Sequence, residues 1–575
     1  MSTQATAHTT KESVKDTVVS LIIAFIFAFT ARSFVCEAFI IPTGSMAPTL
    51  LGAHMRFTNA RTGNDWPVVP AYYTDESRQF AEPLQGNRAL GRPPISVRDP
   101  ITGEAFSRAD VPSRAGDRIL VLKYLYLLEE PSRFDVVVFK FPSNPSQNFI
   151  KRLVGLPGEQ IALVDGDVFV RPANADGSPA AWDSPGWTIA RKPDRVQNTI
   201  WQRVYDSSME PAESGSAAGV GGSPFVPPMI AGPGVTRVTG AAAAGGGAYD
   251  VNTEAGRTGV IAWNNAALWL SPPMLGNVPR AVSDFYPYND NGVLRTRLFP
   301  VSDVRIGAGV TLRDGTINAG QSVGARLVAR QHEFVGEIVG GASGPEARLR
   351  MRPVTPGNDA PWKDIASESV RLPSSGRFSL EVWHVDQQLE VRVDSRIVAR
   401  GAYEWSPKER IRFATGRELS AILSEASSSN DNPLAFEGLY TPATIEWVSS
   451  APARLSHLTL DRDLHYQPAR FEARSSTGIV AAGPAFATHP DAPIVLGEDQ
   501  FFTLGDNSPQ SQDGRLWPAP DPWVGALMND RGMSEHRGVV PRDLMLGRAF
   551  FVYFPSFTGG NPVSVPDFGR MRFIQ

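Results

Sequence analysis

The fold of this chain is decided by residues 148–170, which read NFIKRLVGLPGEQIALVDGDVFV. Val, Ile, Leu and Phe dominate this stretch, and Pro, Gly and Asp divide it into short runs. Two similar runs precede it, GDRILVLKY at 116–124 and FDVVVFKFP at 134–142. Short runs of β-favouring residues between turn residues are typical of strands. The sequence therefore predicts a mainly β fold.

The composition is that of a globular protein with room for more than one hydrophobic core. The chain has 575 residues, of which 42% are hydrophobic and 20% are charged, so a single small module is excluded. Its formal net charge of −4 excludes a chain-wide basic surface for nucleic acid. The single cysteine, Cys36, cannot form an intramolecular disulfide, and we assign it no role.

An apolar segment lies near the N-terminus. Residues 18–30 read VVSLIIAFIFAFT and carry no charge. Their extension through Arg32 to Ile41 gives a length that can cross a bilayer of about 30 Å. We therefore predict one transmembrane anchor at 17–38. A cleaved signal peptide is the alternative, which the lack of a clean small-x-small site after the apolar stretch disfavours.

Basic residues before this segment set its expected orientation. Lys11 and Lys15 favour a cytoplasmic N-terminus, because basic residues accumulate on the cytoplasmic side of membrane spans. We predict a cytoplasmic tail at 1–16, with the anchor in the inner cell membrane. The remainder of the chain then lies on the outer, periplasmic face.

A candidate nucleophile follows the apolar segment in PTGSMAPTL, residues 42–50. Gly44 and the flanking prolines hold an irregular backbone, from which the hydroxyl of Ser45 can be presented. A serine nucleophile needs a base. No histidine of the sequence lies in an evident motif for that role.

A lysine provides the alternative base. Lys151 lies between the apolar residues Phe149, Ile150, Leu153 and Val154. An apolar setting disfavours the charged ammonium and lowers the pKa of a lysine. A neutral Lys151 amine could then accept the proton of a serine hydroxyl.

Three blocks in the same order resemble the type I signal peptidases, also called leader peptidases. Pro42–Leu50 match the family block that carries the nucleophile, and Phe149–Glu159 match the block that carries the base. Gly505–Arg515, GDNSPQSQDGR, match the third block, with Gly514 in place of a serine. The resemblance covers about residues 17–58, 114–172 and 495–556.

This resemblance implies a role for each matching residue. Ser45 is the nucleophile and Lys151 is the general base. The hydroxyl of Thr43 and the backbone N–H of Ser45 form the oxyanion hole, and Ser511 positions the lysine amine. Asp513 and Arg515 form a structural ion pair.

The resemblance also implies shallow apolar subsites for small side chains. The matching wall positions are Phe39, Ile41, Pro42, Met46, Leu50, Phe149 and Ile150. The expected substrates are therefore the signal peptides of preproteins, with small residues before the cleavage site. No metal or organic cofactor is implied.

The catalytic blocks are separated by a long insertion. We predict a catalytic domain built from 39–172 and 490–575, with a loop insertion at about 60–113. Residues 200–480 are predicted to form an inserted β-rich domain, and the Gly- and Ala-rich stretch 213–250 is predicted to be a linker.

A hairpin pattern gives the inserted domain its expected fold. In residues 377–400, apolar and polar residues alternate on both sides of a turn near 385–388, as in strands with one buried face. We predict a β-sandwich that resembles concanavalin-like or laminin-G-like modules. We expect it to fold independently, at a distance from Ser45 and Lys151.

The leading hypothesis is a membrane-bound serine endopeptidase that removes signal peptides. The alternative is an inactive membrane-tethered protein, in which the inserted sandwich binds a glycan or a protein of the cell envelope. A relative of the serine β-lactamases is disfavoured because Pro48, and not lysine, lies three residues after Ser45. A self-cleaving repressor is disfavoured by the anchor and by the lack of a basic DNA-reading segment.

Overall fold

The fold is known from a computed structural model of the chain. The residues that it describes are 4–30, 35–70, 94–108, 111, 113–211, 227–239, 247–252, 257–264, 281–290, 297–354, 360–425, 431–475, 478–533, 536–554, 557–558, 565–566 and 568–575. Strands are numbered β1–β35 and helices α1–α6 along the chain. The described part is mainly β, as the apolar runs predict.

The first sheet combines strands from both ends of the chain. Its order is β1 (Cys36–Ile40), β6 (Arg118–Leu122), β32 (Met545–Phe554), β7 (Val136–Phe141), β8 (Asn144–Gly155), β30 (Gln500–Leu504) and β31 (Val539–Pro541), with β35 (Arg572–Phe573) paired to β32. A second, smaller sheet has the order β11 (Thr188–Ile189), β10 (Asp167–Pro172), β9 (Glu159–Val164) and β29 (Ile494–Val495).

Two further sheets pack face to face as a sandwich. The order of one is β14 (Val235–Val238), β15 (Ala248–Val251), β26 (Ala453–Arg462), β17 (Val304–Leu312), β22 (Arg377–Val385), β23 (Gln388–Val393) and β24 (Arg396–Ala402), with β12 (Gln202–Asp206) paired to β26. The order of the other is β13 (Met229–Ala231), β16 (Gly259–Trp263), β25 (Thr444–Ser449), β18 (Ser322–Ala329), β19 (His332–Gly341), β20 (Gly344–Pro353) and β21 (Lys363–Ser369).

The remaining elements are short hairpins and helices. The hairpins pair β2 (Met55–Thr58) with β3 (Asp65–Val68), β4 (Ile95–Arg98) with β5 (Ala105–Arg108), β27 (Arg470–Ser475) with β28 (Gly478–Pro484), and β33 (Phe557–Thr558) with β34 (Val565–Pro566). The helices are α1 (Gln4–Thr30), α2 (Leu125–Leu128), α3 (Asp194–Ile200), α4 (Pro407–Thr415), α5 (Leu419–Leu423) and α6 (Pro522–Asp530).

The hairpin expected at 377–400 is confirmed. Strands β22 and β23 pair through Leu380 and Val393 at one end and Val385 and Gln388 at the other. The turn residues between them, Asp386 and Gln387, have positive φ, as a two-residue hairpin turn of the mirror-image type requires. The alternating apolar side chains enter the sandwich core.

Two expectations about loops are wrong. The predicted loop insertion at 60–113 contains the strands β3, β4 and β5, which pack with β2 around a small apolar cluster that includes Phe57 and Trp66. Residues 213–226 and 240–246 of the predicted linker at 213–250 lie outside the described residues, and the described part carries β13, β14 and most of β15, which are hydrogen-bonded into the sandwich. Pairing with neighbouring strands orders short segments whose own composition does not predict a strand.

The expected independence of residues 200–480 is also wrong. Helices α4 and α5 of this inserted region share one apolar core with β9, β10 and β11 of the second sheet. That core contains Val164 and Phe169 from the catalytic part and Ile411 and Tyr440 from the inserted region. Because these side chains are buried together, the inserted region and the catalytic part are packed as one body rather than joined through a linker.

A buried charge cluster lies at the same junction. It contains Asp165 and Asp167 from the catalytic part, Lys192 from the segment between the two parts, and Asp303, Arg330, Asp386, Arg410 and Asp463 from the inserted region. Arg410 donates to both Asp165 and Asp167 of the second sheet. Since a buried charge is costly unless it is paired, these contacts fix the inserted region against that sheet.

The N-terminal helix α1 covers residues 4–16 of the predicted tail and 17–30 of the predicted anchor, and residues 1–3 and 31–34 of these two segments lie outside the described residues. It carries exposed apolar side chains, including Ile22, Phe25, Ile26 and Phe27. In the part of the chain that the structure describes, however, no helix meets the length and apolarity needed to span a membrane.

Candidate active site

Ser45 lies on a short 3-10 helix, Gly44–Met46, which we call the nucleophile turn. The N–H of Ala47 donates to the Gly44 carbonyl at 3.0 Å and closes this turn. The Ser45 side chain is 9% exposed. Thr43, the residue before the turn, is exposed and has an extended backbone.

Lys151 lies in the middle of β8, directly opposite Val137 of β7. Its Nζ donates a hydrogen bond to Ser45 Oγ at 2.7 Å. The Lys151 side chain is buried, and its amine lies 5.3 Å from the centre of the Phe149 ring. The structure therefore brings the predicted nucleophile and the predicted base into direct contact.

Burial determines the protonation of Lys151. Desolvation of the ammonium lowers the pKa of Lys151 from 10.5 to about 8, although the nearby carboxylates of Asp513 and Asp506 act to raise it. Desolvation is the larger effect. The ammonium loses more stabilisation when water is removed than the two nearby carboxylates restore. The amine is therefore neutral in a large fraction of molecules slightly above neutral pH.

The third block, Gly505–Arg515, holds the nucleophile turn from one side. The N–H of Asn507 donates to the Ser45 carbonyl at 3.0 Å, and Asn507 Nδ2 donates to the Gly44 carbonyl at 3.0 Å. Gly505 makes this approach possible, because a Cβ there would lie 2.5 Å from the Ser45 carbonyl oxygen. It would also lie 2.1 Å from Ser511 Oγ.

Ser511 is thus buried beside the backbone of the nucleophile turn. Within the described residues, its Oγ has no hydrogen-bond partner. The predicted role of this hydroxyl in positioning the Lys151 amine stays a prediction.

Asp513 and Arg515 form a buried ion pair in which Nε and Nη2 of the guanidinium each lie 2.8 Å from a carboxylate oxygen. Asp513 also accepts from the N–H of Gly505 at 3.1 Å. Gly514, which stands where the family block has a serine, does not loosen the third block. A Cβ at Gly514 would lie 2.6 Å from the Phe502 ring, so this backbone is packed too closely for the serine.

A second buried ion pair was not expected from the sequence. Arg152, adjacent to Lys151, donates from Nε and Nη2 to Asp506, each at 2.7 Å. Thr49 donates to the same carboxylate. Both charged side chains are fully buried, so this pair joins β8, the third block and the segment after the nucleophile turn.

The predicted subsite walls fall into two groups. Ile41, Met46 and Leu50 expose 3% or less and belong to an apolar core cluster. The half-buried positions are Phe39, Pro42, Phe149 and Ile150. Only this second group leaves apolar surface partly accessible, and the predicted role of the seven residues as subsite walls stays a prediction.

The donor set most suited to a metal ion lies in the charge cluster, away from the dyad. Carboxylate oxygens of Asp167, Asp303, Asp386 and Asp463 lie within 4.8 Å of one another. The side chains of Lys192, Arg330 and Arg410 are interleaved with them, and Lys192 Nζ lies 2.8 Å from Asp463. These three cations supply the positive charge that the carboxylates need.

Part of the chain is similar to known signal peptidases. Residues 109–195 match the family model described as signal peptidase, peptidase S26. Signal peptidase I of Rickettsia rickettsii is 27% identical over 173 residues, which is 30% of this chain and 48% of that protein. Signal peptidase I of Aquifex aeolicus is 50% identical over 46 residues, which is 8% of this chain and 18% of that protein. The chain thus spans about half the length of these relatives or less.

The resemblance to signal peptidases that the three blocks indicate is therefore confirmed. Among solved structures, a carbohydrate-binding module from Bacillus subtilis matches 41% of this chain and 95% of its own length, with 9% identity and a TM-score of 0.21. A likeness at that score carries no argument about function.

Proposed function

We propose that this chain is a membrane-tethered signal peptidase, a serine endopeptidase that removes signal peptides from exported preproteins. The observation that carries the proposal is the 2.7 Å contact between Lys151 Nζ and Ser45 Oγ, made by an amine whose pKa is lowered to about 8. A general base must lie within hydrogen-bond reach of the proton that it takes and must be deprotonated near the working pH.

In the proposed reaction, Ser45 Oγ attacks the carbonyl carbon of the scissile peptide bond while its proton passes to Lys151 Nζ. The resulting ammonium returns the proton to the leaving amine as the C–N bond breaks, and an acyl-enzyme remains. Lys151 then takes a proton from water as the water oxygen attacks the ester carbonyl carbon, and the ammonium returns this proton to Ser45 Oγ as the ester C–O bond breaks, which restores the free serine and the neutral amine. No other proton donor or acceptor is needed for this cycle.

The oxyanion of each tetrahedral intermediate needs preorganised donors. We assign this role to the Thr43 hydroxyl and the Ser45 backbone N–H. The third block supports the assignment, because its two hydrogen bonds to the carbonyls of Gly44 and Ser45 hold the peptide unit that contains that N–H and the peptide unit that follows it.

The proposed substrates have small residues before the cleaved bond. Phe39 and Ile150 are partly buried against one apolar core cluster and Phe149 against another, so core side chains lie behind all three and would limit the depth of a subsite. A shallow apolar subsite accepts alanine and excludes phenylalanine, which would need space that the core occupies.

Membrane attachment through α1 is part of the proposal. Its support is the set of exposed apolar side chains between Val18 and Phe29, together with the uncharged sequence of that stretch. An exposed apolar surface of this kind is stable only when lipid or another apolar partner covers it. The catalytic part would then face the periplasm, where exported preproteins emerge.

The test is cleavage of a purified preprotein by the full chain in detergent or vesicles. We expect Ser45→Ala and Lys151→Ala to abolish cleavage, whereas Lys140→Arg, an exposed lysine at the end of the adjacent β7, serves as the matched control and retains it. A substrate with alanine before the cleaved bond should be processed and its phenylalanine counterpart should not. No cleavage by the wild-type chain would favour the alternative of an inactive binding protein.

A further inference from the structure

The inserted region sends one segment, residues 284–290, to the nucleophile turn. This segment contains a 3-10 helix, Pro287–Asn289, which lies beside β3. The N–H of Val69 donates to the Tyr288 carbonyl at 2.7 Å, and the Tyr288 hydroxyl donates to the Ala53 carbonyl at 2.9 Å. The segment is thus hydrogen-bonded to the chain on the C-terminal side of Ser45.

Asn289 extends these contacts to the carbonyl that precedes Ser45. Asn289 Nδ2 donates to Asn507 Oδ1 at 2.8 Å, and Asn507 Nδ2 donates back to Asn289 Oδ1 at 2.9 Å. The same Asn507 amide donates to the Gly44 carbonyl. Both asparagines are buried, so loss of the Asn289 amide removes the donor to Asn507 Oδ1 at a site shielded from water.

The Tyr288 ring forms the wall behind the nucleophile turn. A Cβ at Gly44 would lie 2.1 Å from Cε1 of this ring, which means that the glycine backbone rests directly on it. Tyr288 is 1% exposed and packs in one cluster with Ala47 and Leu51. The turn therefore cannot move in this direction while the ring is in place.

The other end of the segment is attached to the sandwich. Arg462, the last residue of β26, donates to the carbonyls of Asp284 and Phe285 at 3.1 and 3.0 Å. The N–H of Asp284 donates to the Phe299 carbonyl at 3.0 Å. A continuous set of buried contacts thus runs from the sandwich to the residue before the nucleophile.

We propose that Tyr288 and Asn289 are positioning residues, through which the inserted region holds Ser45 at its distance from Lys151. This inference rests on the proposed function, since it assigns a role in that same reaction. Neither side chain touches the dyad; Tyr288 blocks movement of the turn, and Asn289 orients Asn507. Displacement of a nucleophile by about 1 Å can lower the rate by about 100-fold.

The experiment measures kcat and KM on a peptide substrate for Asn289→Ala and Tyr288→Ala. We expect kcat to fall about 10- to 100-fold while KM stays within about twofold, because the turn is displaced and the subsites are not. Tyr288→Phe keeps the ring behind Gly44 and should retain most of the activity. Asn318→Ala, an exposed asparagine in the same region, is the matched control and should retain all of it.

Hydrogen exchange of the backbone amides at 42–53 gives a readout that does not need activity. Exchange there should accelerate in Asn289→Ala and Tyr288→Ala and not in Asn318→Ala, with the sandwich amides unchanged in each. Wild-type kcat in both variants, or a loss of kcat with unchanged exchange at 42–53, would overturn the inference. A wild-type chain without peptidase activity would instead refute the proposed function, and the exchange experiment would still decide whether segment 284–290 holds the turn.

Discussion

At the scale of single residues, the site depends on one amine that is kept out of water. Burial lowers the pKa of Lys151 to about 8, against the opposing effect of two carboxylates. The same burial is unfavourable for folding at neutral pH, because the protonated amine is less stable in the buried site than in the unfolded chain. Lowering the pKa from 10.5 to about 8 means that folding disfavours the protonated amine, relative to the neutral one, by a free energy of about 3 kcal/mol.

The pH dependence of activity and that of stability follow from this shift. Peptide cleavage should rise with pH through about 8 as the folded amine loses its proton, and Lys151→Arg should be inactive at every pH in this range because guanidinium keeps its proton. Between about 8 and 10.5 the unfolded chain holds more protons than the folded one, so the free energy of unfolding should increase with pH.

Steady-state kinetics and urea denaturation between pH 6 and 10.5 check both slopes. Lys151→Met serves as the comparison, since it removes the titrating group and should be more stable than the wild type by up to about 3 kcal/mol at pH 7. Substantial cleavage by Lys151→Arg would contradict the lysine base, and a rate that is independent of pH around 8 would contradict the shifted pKa.

Ser45 and Lys151 could be predicted from the sequence because each lies in a compact block. The residues that hold them in place could not be predicted. Thr49 and Arg152 meet at Asp506, several hundred residues further along the chain, and nothing local to any of the three indicates a buried ion pair. The sequence offered one signal, which is position: Arg152 lies beside Lys151, and Asp506 lies within the third block.

At the scale of elements, the nucleophile turn is held between the third block and segment 284–290. Gly44 is the residue on which this arrangement depends, because the Tyr288 ring occupies the space of its absent side chain. A methyl group there cannot be accommodated unless the ring or the turn moves. The ring is itself held by the hydrogen bond from its hydroxyl to Ala53.

This contact predicts a compensating pair of substitutions. Gly44→Ala alone should lower the free energy of unfolding by about 1–3 kcal/mol, the usual cost of overpacking. In the Tyr288→Ala background, where the ring is absent, the same change should cost markedly less. Urea denaturation of the four proteins gives the coupling free energy between the two positions. Strictly additive effects would show that the ring does not restrain the turn.

Element type was predictable where the apolar pattern was strong, as in β7, β8, β22 and β23. It was not predictable for β13 and β14, which lie in the Gly- and Ala-rich stretch, or for the hairpins around Trp66. These strands are three or four residues long. Too few side chains lie in each to establish an alternating pattern, and their order comes from neighbours that are distant in sequence.

At the scale of the whole molecule, the inserted region and the catalytic part share a core and a buried charge cluster. Arg410 is central to that cluster: it is fully buried and its Nε lies 2.9 Å from Asp165. A low-complexity stretch beside a β-rich segment indicates a separate domain, and that inference was wrong here. Asp165 and Arg410 lie 245 residues apart, so their contact cannot be recognised from sequence spacing.

Arg410→Met should therefore destabilise the whole chain. Removal of one partner from a buried ion pair costs about 3–5 kcal/mol, because the carboxylates that remain are buried without compensation. The matched control is Arg417→Met, which removes an arginine paired with Glu425 at the surface and should have a much smaller effect, because solvent screens such a pair. Calorimetry measures both. Equal, small effects would show that the cluster does not join the two parts.

The order of the sheets along the chain has a consequence for biosynthesis. Ser45 and Lys151 leave the ribosome long before the third block, and β8 has no partner on one side until β30 (Gln500–Leu504) has been made. A nascent chain therefore carries both reacting groups without the amides of Asn507 and the carboxylates of Asp506 and Asp513 that shape their surroundings. The proposed peptidase is therefore expected to stay latent during most of its own translation and to acquire a working site when β30 and the third block fold against β8.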